Sequence, residues 1–150
     1  LPPGASYLPG MSPDTKSEID GLIEEFEFLG DWEERYRYLI DLGQEMPPLP
    51  EEEKTEDRRV KGCTSRVWLV IDPPENGHFR FRADSDAHIV KGLAALLVRL
   101  YSGRTREDIA AIEPRDILAR IGLAEHLSPQ RSNGLNAMIG RIRAEAGITD

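Results

Sequence analysis

Cysteine is almost missing from this chain: Cys63 is the only one in 150 residues. A lone thiol forms neither an internal disulfide nor a multi-cysteine metal site, and so sparing a use of cysteine fits a reducing, cytoplasmic compartment. Histidine is scarce too. His78, His88 and His126 are scattered without His-Glu-x-x-His or Cys-x-x-Cys spacing, so each reads as an ordinary packing or surface residue and no metal is expected. Apolar runs stay far below the ~20 residues of a membrane span, and no membrane association is expected. Neither Gly-x-Gly-x-x-Gly nor a glycine-rich loop ending in Lys-Ser/Thr occurs, which leaves kinase and dehydrogenase readings without a motif. Basic residues are outnumbered, 19 Lys and Arg against 27 Asp and Glu for a net charge of −8. That balance argues against nucleic acid or an anionic membrane as partner; a protein or a small molecule fits better.

The length suits one domain with a substantial core. Residues 1–13, rich in proline and glycine, are expected to be a flexible extension or an expression remnant with Met11 as a natural start, and residues 14–150 to form the single domain. Ile19, Leu22, Ile23 and Phe26 repeat at helical spacing after a capping box of Thr15 and Glu18. Asp31 with Glu34 caps a second helix bearing Trp32, Tyr36, Leu39 and Ile40, with Gly43 as its stop and a hairpin with the first helix expected. Met46 to Arg59 reads as an irregular, acidic, solvated connection.

Val67 to Ile71 is wholly apolar, as in a central strand covered on both faces, and ends at Asp72-Pro73-Pro74. A turn through Asn76-Gly77 leads to His78–Ala83, where Phe and Arg alternate, so an antiparallel hairpin follows. Val60-Lys61-Gly62 offers a third strand. Asp84-Ser85-Asp86 supplies caps for a long helix over Ile89–Tyr101, the ordinary role of two such carboxylates. Thr105 with Asp108 opens a short helix, Pro114 starts another that Gly122 closes, and a last helix begins near Ser132 with Leu135, Met138, Ile139 and Ile142 inside and Arg141 and Arg143 outside. The order helices, strands, helices predicts an α+β domain: a small antiparallel sheet of about three strands with helices packed on one face.

Free cysteines are usually small buried hydrophobes, but Cys63 lies between a glycine and the start of a strand. Arg58, Arg59, Lys61 and Arg66 surround it in sequence, and cations lower a thiol's pKa and raise the fraction of nucleophilic thiolate. The chain therefore offers one candidate reactive group.

Val60-Lys61-Gly62-Cys63-Thr64-Ser65-Arg66-Val67-Trp68-Leu69-Val70 resembles the cysteine loop of the SufE/CsdE family of sulfur acceptors. Three further blocks agree in order and spacing: Trp32–Gly43, Ala83–Leu93 and His126–Leu135. The resemblance covers about Ile19 to Ala146, with Thr64 and Arg66 standing where relatives frequently carry glutamine. It implies a SufE/IscU-like domain in which Cys63 takes sulfur from the persulfide of a cysteine desulfurase (SufS/CsdA-like), stimulates that enzyme and passes sulfur to an iron–sulfur scaffold complex (SufBCD-like). Gly62 would let the loop move, and Asp86 and Arg131 would hold it or touch the desulfurase. No cofactor of its own is implied, pyridoxal phosphate belonging to the partner, and no independent turnover is expected. A cluster scaffold of this fold uses three cysteines, which this chain does not have. An activator that carries no sulfur, or a donor to another sulfur-transfer pathway, remains the alternative, and a redox sensor would want a resolving cysteine.

Overall fold

A computed structural model describes residues 6–148. Among them seven α-helices and one antiparallel sheet form an α+β fold, the order being α1 (Pro13–Phe28), α2 (Trp32–Glu45), β1 (Val67–Glu75), β2 (His78–Ser85), α3 (His88–Tyr101), β3 (Arg104–Thr105), α4 (Arg106–Ala111), α5 (Pro114–Arg120), α6 (Leu123–His126) and α7 (Pro129–Glu145). The sheet order is β1-β2-β3. Asn76 and Gly77, both at positive φ, close the β1–β2 hairpin, as a two-residue turn with matching twist requires. Register pairs Leu69 with Ala83 and Ile71 with Phe81, which puts these residues on one face with the helical core.

That core is built around fully buried Phe26, Phe81, Leu93, Leu97 and Tyr101, each large apolar side chain worth about 1.5–3 kcal/mol in burial. α3 packs on β2, and α2 packs on α3. The α2–α3 crossing is tight because two glycines meet there: a Cβ on Gly43 would fall 2.8 Å from the Gly92 nitrogen. Gly43 is thus an internal contact and not the expected helix stop, and α2 runs two residues further. α1 and α2, joined by residues 29–31, meet through side chains such as the Phe26–Tyr38 edge-to-face pair and the Tyr38–Glu25 hydrogen bond, while α2 packs more closely on α3.

Other expectations shift in register. The third strand is Arg104–Thr105 beside β2, while the segment before Cys63 makes a single bridge, Arg59 to Trp68, on the outer edge of β1. β1 is therefore an edge strand, which is why it tolerates Pro73 and Pro74 in an irregular stretch before Glu75 pairs with His78. Its second face is covered, not by a helix, but by the 46–59 connection. Lys54 lies over the Trp68 ring at 5.3 Å, and Glu53 takes two 2.7 Å hydrogen bonds from Arg82, so this acidic segment is a structural cover. Asp31 and Thr105 cap as expected, accepting from the backbone of Glu34 and Asp108. Thr15 does not: its hydroxyl donates to Asp108 at 2.7 Å, and α1 starts earlier, with Ser12 at its N-cap. Of the segment expected to be flexible, residues 1–5 lie outside the described residues, whereas 6–12 are anchored by a Tyr7–Ile112 bridge and a buried Met11. No helix among the described residues is long and apolar enough to cross a membrane.

Candidate functional site

Cys63 stands on the loop between the turn Glu56–Arg58 and β1, and that loop lies along α7. Gly62, with φ of +93°, turns the chain just before it, a backbone state that side chains other than glycine adopt only under strain. The same glycine lies against Ala137: a Cβ at 62 would stand 3.3 Å from the alanine Cβ. Gly62 is thus a shape requirement of the loop. One turn earlier in α7, the Gly134 carbonyl accepts the Cys63 thiol at 3.5 Å. α7 begins at Pro129, three residues before the expected start, because the Ser128 hydroxyl caps it by accepting from the Arg131 backbone.

The half-buried thiol opens into a cavity of about 420 Å³ between the loop, the first turns of α3 and the start of α7. Its walls are apolar at Ile89, Val90, Leu93, Leu135 and Met138, with Arg131 among the polar residues that line it. Burial pushes the Cys63 pKa up, and Arg59 offsets this only in part. The expected activation by four neighbouring cations does not arise, since the others are occupied: Lys61 pairs with Glu56, Arg58 bonds the Glu53 carbonyl, and Arg66 sits 4.0 Å from Asp86. In this seat burial disfavours the thiolate.

Asp84 and Asp86 do not cap α3, whose N-cap is Ala87 without a side-chain bond. Asp86 lies outside the cavity and accepts the Arg66 backbone N–H at 3.1 Å, while its own N–H and the Ser85 hydroxyl donate to the Arg66 carbonyl. These contacts pin the downstream end of the cysteine loop. Asp84, buried in the sheet, accepts from the backbone N–H groups of Leu49 and Ser85. The structure therefore brings Arg131 and Gly62 to Cys63 and leaves Asp86 acting from the loop's far end.

Two contributors escaped the sequence reading. Gly134 falls within the His126–Leu135 block of the resemblance, which assigns it no role; a further signal is a glycine where a helix would gain from alanine. Arg141, expected to be an outward surface residue, instead bonds the carbonyls of Asp57 and Arg59. Among the described residues no group of three or more His, Cys, Asp or Glu side chains is placed to hold a metal ion.

The family model for SufE, an Fe-S metabolism associated domain, matches residues 20–146. The chain is 50% identical over 135 residues to an uncharacterized SufE-like protein of Rhizobium etli, an alignment covering 88% of this chain and 91% of that protein. Another uncharacterized SufE-like protein, of Rhizobium meliloti, is 46% identical over 133 residues, covering 87% of this chain and 95% of the relative. The fold is similar to the solution structure of a hypothetical protein from Thermus thermophilus, with a TM-score of 0.71 and 27% identity over 87% of this chain and 93% of that one.

Proposed function

The chain belongs to the SufE family, and from that premise we propose that Cys63 accepts sulfane sulfur from a cysteine desulfurase, carries it as a persulfide, and delivers it to iron–sulfur cluster assembly. Family membership ties the chain to sulfur transfer linked to a cysteine desulfurase. The carrier atom, the stimulation of the desulfurase and the downstream scaffold are this proposal.

One observation supports the reading above the others: the lone thiol opens into a cavity with largely apolar walls and is held there by a weak sulfur–carbonyl contact at 3.5 Å. A persulfide at rest needs shielding from thiols and oxidants, and the cavity supplies room for it. The transfer step needs one thiolate. The Cys63 sulfur attacks the terminal sulfur of the donor persulfide, a new S–S bond forms as the donor's S–S bond breaks, and the donor cysteine departs as thiolate. Oxidation state is conserved and no acid–base dyad or metal is required.

The raised pKa fits this division of labour. Inside the cavity Cys63 is a poor nucleophile, so attack awaits the loop's departure, which docking on the donor would bring about. Arg131, on the cavity rim with no side-chain partner among the described residues, is free to meet an acidic or sulfur-bearing group of the donor protein. Asp86 keeps the downstream end of the loop fixed while residues 61–65 swing.

The test is alanine formation by a pyridoxal-phosphate cysteine desulfurase with and without this protein, wild type and Cys63→Ser. Stimulation by the wild type that vanishes in the serine variant is expected. Equal stimulation by both would replace the carrier with an allosteric activator.

A further inference from the structure

Residues 134, 137 and 141 of α7 are spaced by three and four and so share one helix face. The cysteine loop runs antiparallel along it. Gly134 meets Cys63, Ala137 meets Gly62, and Arg141 meets residues 57 and 59. The first two contacts, a sulfur–carbonyl approach at 3.5 Å and a van der Waals touch, are individually weak. Arg141 contributes a different order of interaction. Its Nη2 donates to the Asp57 carbonyl at 2.7 Å and its Nη1 to the Arg59 carbonyl at 3.3 Å, while Nε donates to Glu145 Oε1 at 3.0 Å. Glu145 thus orients the guanidinium, and both arms of the fork grip one backbone segment by charge-assisted bonds. With Val60 buried in the core and donating its N–H to the Val67 carbonyl at 2.8 Å, and with the Asp86 contacts at Arg66 on the other side, the stretch 61–65 hangs between two anchors. Only the upstream one involves α7, where Arg141 adds its hold on residues 57 and 59 to the pairing of residues 59 and 60 with β1.

We infer that Arg141 is the latch of the Cys63 loop, a positioning residue whose two carbonyl contacts brace the loop's upstream end and so set how often residues 61–65 lift from α7 and release the thiol from its cavity. What the opening serves rests on the sulfur-acceptor reading; the latch itself does not.

The test is alkylation of Cys63 by iodoacetamide under native conditions, read by intact mass, for the wild-type chain, Arg141→Gln and Arg141→Lys, with hydrogen exchange of α3 amides reporting global unfolding. The latch predicts labelling about tenfold faster in Arg141→Gln, the factor expected when charge-assisted contacts that brace an opening segment are lost. Arg141→Lys should be intermediate, because one ammonium replaces a two-armed fork, and α3 exchange should be unchanged. Removing a cation disfavours the thiolate and slows labelling, so electrostatics alone cannot imitate the gain. Equal labelling of all three proteins, or acceleration matched by equally faster exchange in α3, would overturn the latch. No desulfurase is present in this assay, so its failure is separate from failure of the acceptor role, which is read from stimulation of a desulfurase.

Discussion

The Cys63 sulfur and the Gly134 carbonyl oxygen lie 3.5 Å apart, and a Cβ at position 134 would stand 3.4 Å from that sulfur. The sulfur is thus seated on bare helix backbone, where glycine leaves space for it. A carbonyl oxygen accepts an S–H and repels a thiolate, so the seat favours the neutral thiol in the same sense as burial does.

The first consequence is a pH profile. Burial raises the Cys63 pKa and Arg59 lowers it less, so native alkylation should still be climbing above about pH 8.5, where an ordinary thiol is half ionised. The urea-unfolded chain should titrate at the ordinary value. Because the folded state holds this proton more tightly, the associated stability is fully present below the unfolded pKa and is lost as pH rises through the folded one. Superimposable native and unfolded profiles would contradict the burial.

Gly62→Ala should lower stability by about 1–2 kcal/mol, since an L side chain at positive φ is strained, and the added methyl would press on Ala137 at 3.3 Å. Chemical denaturation gives the stability change. The loop should also leave its seat, so Cys63 alkylation should quicken by more than that loss explains.

At the α2–α3 crossing, Gly92→Ala would place a Cβ 2.7 Å from the Leu39 carbonyl carbon, against backbone that cannot rotate away. The helices must separate, at a cost of about 2–3 kcal/mol, readable as a lower denaturation midpoint. Gly21→Ala, with open space around the added carbon, should be neutral or slightly stabilising by helix propensity.

Asp84 is 3% exposed. Burial alone would raise its pKa, but the N–H groups of Leu49 and Ser85 and the Lys91 ammonium together hold it below the usual carboxylate range. Asp84→Asn should cost about 2 kcal/mol near neutral pH. A depressed pKa gives stability that is present above the unfolded carboxylate's value and lost as pH falls through the folded one, so variant and wild type should converge in acid. A constant gap from pH 7 to pH 3 would argue against the carboxylate's charge as the cause.

What was legible in the sequence was local. The Asp31–Glu34 and Thr105–Asp108 caps, the Asn-Gly turn and the apolar stripes of α3 and α7 each depend on residues within a turn or two, and each forms as read. Thr15 failed as a cap because Asp108, 93 residues away, claims its hydroxyl. Gly43 failed as a stop because its partner is Gly92. The same holds at the site. Cys63 stood out as a candidate by its isolation and its loop, whereas the contacts that Gly134 and Arg141 make to that loop lie 71 to 84 residues away in the chain, which no local periodicity encodes. Basic neighbours in sequence proved a poor guide to the thiol's environment, since most of them face carboxylates or carbonyls of their own.

The most direct measurement is the intact mass of the protein after incubation with cysteine and a pyridoxal-phosphate cysteine desulfurase, alongside Cys63→Ser. The account predicts a gain of about one sulfur atom, ~32 Da, removed by a reductant and absent from the serine variant, as thiol exchange onto a single acceptor requires. An unmodified wild-type mass, with the desulfurase turning over, would contradict it.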